Sequence, residues 1–184
     1  VRMKRVTVVL GILLVALTTM GFNCVNDAVL VSVNLPLTAT FDITGNTGTS
    51  TYSKQLTISD YLDQSYLGKL QSVRFYDIKV STIGTFAGSV AGSNAKIDNI
   101  VLLTLSGNWN DFNTPQSVLN SSHIVLNPAG VNQLITKLQQ FKNTSTTTVV
   151  LSGTTMTTGG TFTSGLQVKI ELLCQADANL GSSN

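Results

Sequence analysis

The chain has 184 residues, a formal net charge of +2 and only 11% charged side chains, under half the share near 25% usual in soluble domains. That length is enough for one domain with a real core. Charge this sparse and unclustered forms no basic stripe for nucleic acid and no polybasic patch for an anionic membrane surface.

Three of the eleven basic residues, Arg2, Lys4 and Arg5, precede the first apolar run, so the remainder is close to neutral. Met3-Lys4-Arg5 followed by VTVVLGILLVALTTM (6–20) has the basic and apolar regions of a secretory signal peptide, expected over 1–21 with cleavage after Gly21. A retained anchor is the alternative. Thr18 and Thr19 shorten the apolar run below the roughly 20 residues of a membrane span.

Cys24 follows at once, with three readings. Asn23 and Phe22 stand where a bacterial lipobox needs small residues, so lipidation fits the pattern poorly. An exported chain with two cysteines, Cys24 and Cys174, is most simply read as holding one disulfide. It would close a loop of about 150 residues, worth several kcal/mol in the chain-entropy model. Lipidation of Cys24 would instead leave Cys174 a lone buried thiol. Two unpaired thiols are the third reading.

From residue 28 onward, period-two alternation dominates. AVLVSVNL (28–35) and LTATFDI (37–43) read as strands, with Pro36 between them marking a strand edge or a break. TGNTGTS (44–50) is turn chemistry, and YSKQLTI (52–58) is expected to return as the second strand of a hairpin-like unit. SDYLDQSYLGKL (59–70) predicts one or two short helical turns, with Ser59 a suitable N-cap. QSVRFYDIKVSTIG (71–84) is a strand whose alternation slips near Tyr76-Asp77, predicting a β-bulge. TFAGSVAGS (85–93) is a weak strand broken by glycine. AKIDNIVLLTLSG (95–107) predicts one long central strand.

GNWNDFN (107–113) surrounds the only tryptophan with oxygen-bearing side chains. Asn108, Trp109, Asn110 and Asp111 are therefore the candidate binding residues, as a calcium loop or a sugar-contacting aromatic. The simpler reading is a polar turn whose tryptophan folds back onto the core. SVLNSSHIVLN (117–127) is extended and holds the sole histidine, His123, read as a surface or edge-strand residue. No G-x-S-x-G elbow accompanies it. Sequons at Asn120 and Asn143 matter only in a glycosylating host.

Asn127 and Pro128 open an amphipathic helix over 128–141, with Val131, Leu134, Ile135, Leu138 and Phe141 on one stripe. STTTVVLSGT (145–154) and FTSGLQVKIELLCQ (162–175) close the chain as strands. Leu166, Val168, Ile170, Leu172 and Cys174 face inward on the latter. ADANLGSSN reads as a frayed tail, disordered over 179–184.

The expected fold is mainly β: an antiparallel sandwich of about seven to nine strands over 22–178, with the helix at 128–141 covering an open end or a sheet face. A half-open barrel closed by that helix is the alternative. VLVSVNLPLTATFDI, DYLDQSYLGKLQSVRFYDIKV, the helix and the final GLQVKIEL together resemble uncharacterised secreted β-sandwich proteins of bacteria. That resemblance implies an exported location and supplies no active residues.

Nine scattered carboxylates, one histidine and two distant cysteines offer no catalytic constellation, zinc set or cofactor motif. The expectation is a non-enzymatic exported domain with a structural, adhesion or partner-binding role, meeting an envelope or extracellular protein or a glycan. The alternative is a carrier of lipid or another apolar ligand between sheet and helix. A membrane enters only if Cys24 is lipidated or the leader is retained.

Overall fold

The computed structural model describes residues 29–43, 48–84, 88–142, 144, 147–157 and 166–181. The signal peptide, its cleavage site, Cys24 and Asn143 lie outside them.

Nine strands form two antiparallel sheets among the described residues. In chain order they are β1 (Leu30–Asp42), β2 (Gly48–Thr57), β3 (Leu70–Ile83), β4 (Asn94–Ile97), β5 (Ile100–Leu105), β6 (Gln116–Ser117), β7 (Ile124–Leu126), β8 (Thr148–Thr157) and β9 (Gln167–Asn179). The four-stranded sheet runs β1-β9-β3-β6 and the five-stranded sheet β2-β8-β4-β5-β7. They remain two separate sheets, a β-sandwich, and the barrel alternative does not hold. A one-turn helix α1 (Gln64–Leu67) and a long helix α2 (Pro128–Phe141) complete the fold.

By contacts the chain divides into two compact units. Ser32–Ala178 holds the sandwich core. The other holds, among the described residues, 29–31 and 179–181, and in it the Leu180 N–H donates to the Val29 carbonyl at 2.9 Å.

The alternation that marks the strands also sets their burial. On β1, Leu35, Leu37, Ala39 and Phe41 are buried, and on β9 so are Val168, Ile170, Leu172, Cys174, Ala176 and Ala178. Burying each large aliphatic side chain contributes roughly 1.5–3 kcal/mol, and these rows join one core cluster with Leu56, Ile97, Leu103 and Leu151 of the other sheet. Phe41 of β1 and Tyr52 of β2 bring their ring centroids to 4.2 Å with the planes tilted by 38°, a contact from sheet to sheet.

Pro36 neither breaks nor ends the strand, for β1 runs through it. β1 is an edge strand. Its Ile43 N–H donates inward to Leu166, so alternate residues, Pro36 among them, turn their N–H positions to the open side, where proline loses no ladder bond. The expected hairpin between β1 and β2 does not form: β2 pairs β8 over its whole length, while β1 lies beside β9. Alternation fixes the buried face of a strand, not its neighbour.

The bulge is real: the β3–β9 register shifts between Phe75 and Asp77. It leaves Tyr76 47% exposed with Asp77 buried, the latter accepting Ser117 Oγ at 2.9 Å. In 59–70 the helical turns appear, but Asp63 rather than Ser59 supplies the side-chain cap, accepting from the Ser65 N–H at 2.8 Å. The strand expected over 85–93 is absent from its described part, where Ser89 makes one isolated bridge to Asn108. Gly92 takes a positive φ of 88° there.

The long strand expected over 95–107 is instead a hairpin. Asp98 and Asn99 have φ of 47° and 70°, the paired positive values of a tight type I′ turn that Asp and Asn tolerate. At the C-terminus, β9 continues through Asn179, so Ala176–Asn179 of the expected frayed tail is strand.

Helix α2 starts as its sequence directs. Asn127 Oδ1 accepts the Ala129 N–H at 2.9 Å, and Pro128 takes the first position, where no N–H is needed. Gly130, Leu134, Leu138 and Phe141 are buried, with Val131 and Ile135 half-buried. The helix lies against β3 of one sheet and β5 of the other, on the side where β6 and β7 supply only two and three residues.

Candidate functional site

The 107–113 segment forms a hydrogen-bonded turn. Trp109–Phe112 is a single 3-10 turn, and the Asp111 carboxylate accepts the Asn108 N–H at 2.7 Å, which neutralises an unpaired donor at its start. The Trp109 N–H donates to Gly88 and the Val90 N–H to Gly107, each at 3.0 Å. Thr82 Oγ1 donates to Asn113 Oδ1 at 3.1 Å.

Trp109 and Phe112 are fully buried, with ring centroids 6.4 Å apart. Of the four candidate binding residues, Asn108 and Asn110 are exposed, Asp111 is half-buried, and Trp109 is withdrawn from the surface. The turn shows a polar face to solvent and drives its aromatic rings into the core. Trp109 therefore offers no exposed ring to a sugar.

The tertiary structure adds a partner that spacing did not suggest. His123, just before β7, places Nδ1 3.7 Å from Asp111 Oδ2 and its ring edge-on to Phe112, centroids 6.1 Å apart. Gly107, at φ 94°, lies beneath both. A Cβ there would stand 2.6 Å from Asp111 Oδ2 and from His123 Nδ1, so the pair closes over a position that only glycine fills. The serines nearby engage the histidine's main chain: Ser121 Oγ accepts the His123 N–H at 3.1 Å, and Ser106 donates to its carbonyl. An aspartate and an imidazole thus stand side by side, with the Ser121 and Ser106 hydroxyls bonded to backbone.

Several other described carboxylates are tied to separate structural tasks. Asp98 at the β4–β5 turn accepts from Lys137 Nζ at 2.9 Å, Gln133 Nε2 at 3.1 Å and the Val150 N–H at 3.3 Å. Burial works against its charge, but these hydrogen bonds and the Lys137 ammonium outweigh it and hold the carboxyl below its usual range. Asp177 on β9 accepts from Ser72 at 2.6 Å, from Ser32 at 2.7 Å and from Arg74. Those bonds, Ser72's foremost, lower its pKa. Glu171 pairs with Lys169, and Asp42 accepts from Gln167. Among the described residues, no three His, Cys, Asp or Glu side chains gather where a metal could be held.

Cys174 lies within the core, and burial pushes its thiol up to about 12. A thiol so hard to ionise is a poor nucleophile. Cys24, its proposed disulfide partner, lies outside the described residues. No described helix is long and apolar enough to cross a membrane.

No known family and no curated protein matches the chain. Among solved structures, one titled Desmodium yellow mottle tymovirus is 10% identical, covering 86% of this chain and 93% of that one, with a TM-score of 0.32. At that score the likeness assigns neither a family nor a function.

Proposed function

We infer that this chain is an exported, non-enzymatic β-sandwich module with a structural, adhesion or partner-binding role at the bacterial envelope or outside the cell. The observation that carries this reading is the 107–113 turn: Trp109 and Phe112 anchor it in the core, while Asn108 and Asn110 face solvent. A rigid loop on a β scaffold is a common way to present adaptable hydrogen-bonding groups to a protein or glycan. On α2, Leu134, Leu138 and Phe141 are buried within the main cluster, which supports a sealing role for the helix over that of a lipid carrier. The resemblance to secreted bacterial proteins and the apolar leader support export.

A glycan array probed with labelled wild-type protein and with the Asn108→Ala, Asn110→Ala double variant tests the loop. Binding that the double variant loses supports it. Binding that survives unchanged removes the turn from the interface. Export is tested by intact mass from a bacterial host before and after reduction and alkylation. A chain starting near Phe22, with Cys24 and Cys174 alkylated only after reduction, supports a soluble disulfide-closed module. A chain starting at Cys24 with added acyl groups makes it a tethered lipoprotein, and retention of the uncleaved chain in the cytoplasm overturns export.

A further inference from the structure

The sandwich guards its sheet edges unequally. On β1, Pro36 removes an outward N–H and the Tyr61 hydroxyl donates to the Thr38 carbonyl at 2.9 Å. At the opposite ends of the two sheets, β6 and β7 are two and three residues long. Proline, side-chain cover and shortness are three standard ways of blunting an edge. β2 is neither short nor interrupted by proline: it is ten residues of GTSTYSKQLT at the end of the five-stranded order, with no strand beyond it among the described residues.

Its hydrogen-bonding phase follows from two contacts. The Ile58 N–H donates to the Thr147 carbonyl in continuation of the β2–β8 register. On the other side of β8, the Val150 carbonyl accepts from the Asp98 N–H. Even-numbered residues of β2 therefore bond to β8, and Thr51, Ser53 and Gln55 turn their N–H and C=O groups outward.

We propose that β2 is a self-association edge, pairing antiparallel with β2 of a second copy of this chain about a two-fold axis at Ser53. In that register Ser53 faces Ser53, and Thr51 faces Gln55 of the other copy. Hydroxyl and amide groups both donate and accept, so this row is complementary to itself. The only charge on the strand, Lys54, falls beside Tyr52 of the second copy rather than opposite another lysine. Like charges directly opposed would disfavour the pairing. The two five-stranded sheets become one continuous ten-stranded sheet.

The test uses the full chain. Sedimentation equilibrium of the wild type is expected to show the mass doubling as concentration rises. Ser53→Pro removes an N–H that the fold itself does not use, and should abolish the doubling while leaving the circular dichroism spectrum unchanged. Ser53→Cys should cross-link to itself under mild oxidation, located by mass spectrometry. Facing residues of a hydrogen-bonded antiparallel pair have Cα atoms about 5.5 Å apart, inside disulfide reach. Thr51→Cys should not cross-link, because two copies of that position lie about 14 Å apart along the strands. Should proline unfold the strand, the cysteine pair decides alone. A wild type that stays monomeric at all concentrations, Ser53→Cys without cross-links, or equal cross-linking at both positions would overturn the proposal.

Discussion

Gly130 of α2 packs so closely on Leu102 of β5 that a Cβ on the glycine would stand 2.4 Å from the Leu102 Cα and 2.2 Å from the Val101 carbonyl oxygen. Both obstacles are backbone, so neither can swing aside. Gly130→Ala should therefore destabilise the protein by about 3 kcal/mol, the upper end of the usual range for overpacking, although alanine is the better helix former. Urea denaturation of the two proteins measures the difference. An unchanged midpoint would mean that the helix does not pack on β5 at this residue.

The Asp98–Lys137 pair ties the β4–β5 turn to the middle of α2. The folded carboxyl has a pKa below its ordinary 3.8. Its contribution to stability is thus complete above that value and is lost as pH falls through the lowered folded value. Asp98→Asn keeps a residue that accepts positive φ and removes the charge. It should cost about 1 kcal/mol at neutral pH, as a partly exposed pair allows. The wild-type and variant stability curves should converge in acid. Parallel curves across the whole range would exclude the carboxylate as the cause.

Asp177 bonds to both neighbouring strands at once: Ser32 on β1, and Ser72 and Arg74 on β3. Because the Ser72 hydroxyl is the first influence on its carboxyl, and Arg74 acts through both a hydrogen bond and its charge, Ser72→Ala and Arg74→Ala should each raise the Asp177 pKa. Carbon NMR titration of the carboxyl measures both effects. A pKa unmoved by Ser72→Ala would make this an ordinary surface ion pair.

Trp109 is the only tryptophan, so fluorescence reports on it alone. Emission should be blue-shifted and resist iodide quenching in the native protein. Trp109→Ala should cost about 3–5 kcal/mol, as for other large core aromatics, whereas Asn110→Ala should stay within about 0.5 kcal/mol. A quenchable tryptophan would place the ring at the surface and reopen its role as a sugar contact.

Much of the local structure was legible in the residues. Inward rows such as Leu166 to Cys174, the start of α2 at Asn127-Pro128 and the bulge at Tyr76-Asp77 all follow from period and from the chemistry of single side chains. These depend on neighbours a few positions away. The Asp98-Asn99 turn escaped the sequence reading: both residues tolerate positive φ, but the apolar run Ile100–Leu103 that follows them made 95–107 read as one strand.

What the sequence by itself determined is therefore a set of strands, one helix, the face each buries, and a polar turn with an apolar interior. Only the tertiary structure decided that β1 pairs β9 while β2 pairs β8, that Pro36 sits within an edge strand, and that Asp111 meets His123 above Gly107. The physical reason is range. Alternation and capping are written into consecutive residues, whereas these pairings join segments about ninety residues or more apart, and several neighbours suit each strand until all compete for one core.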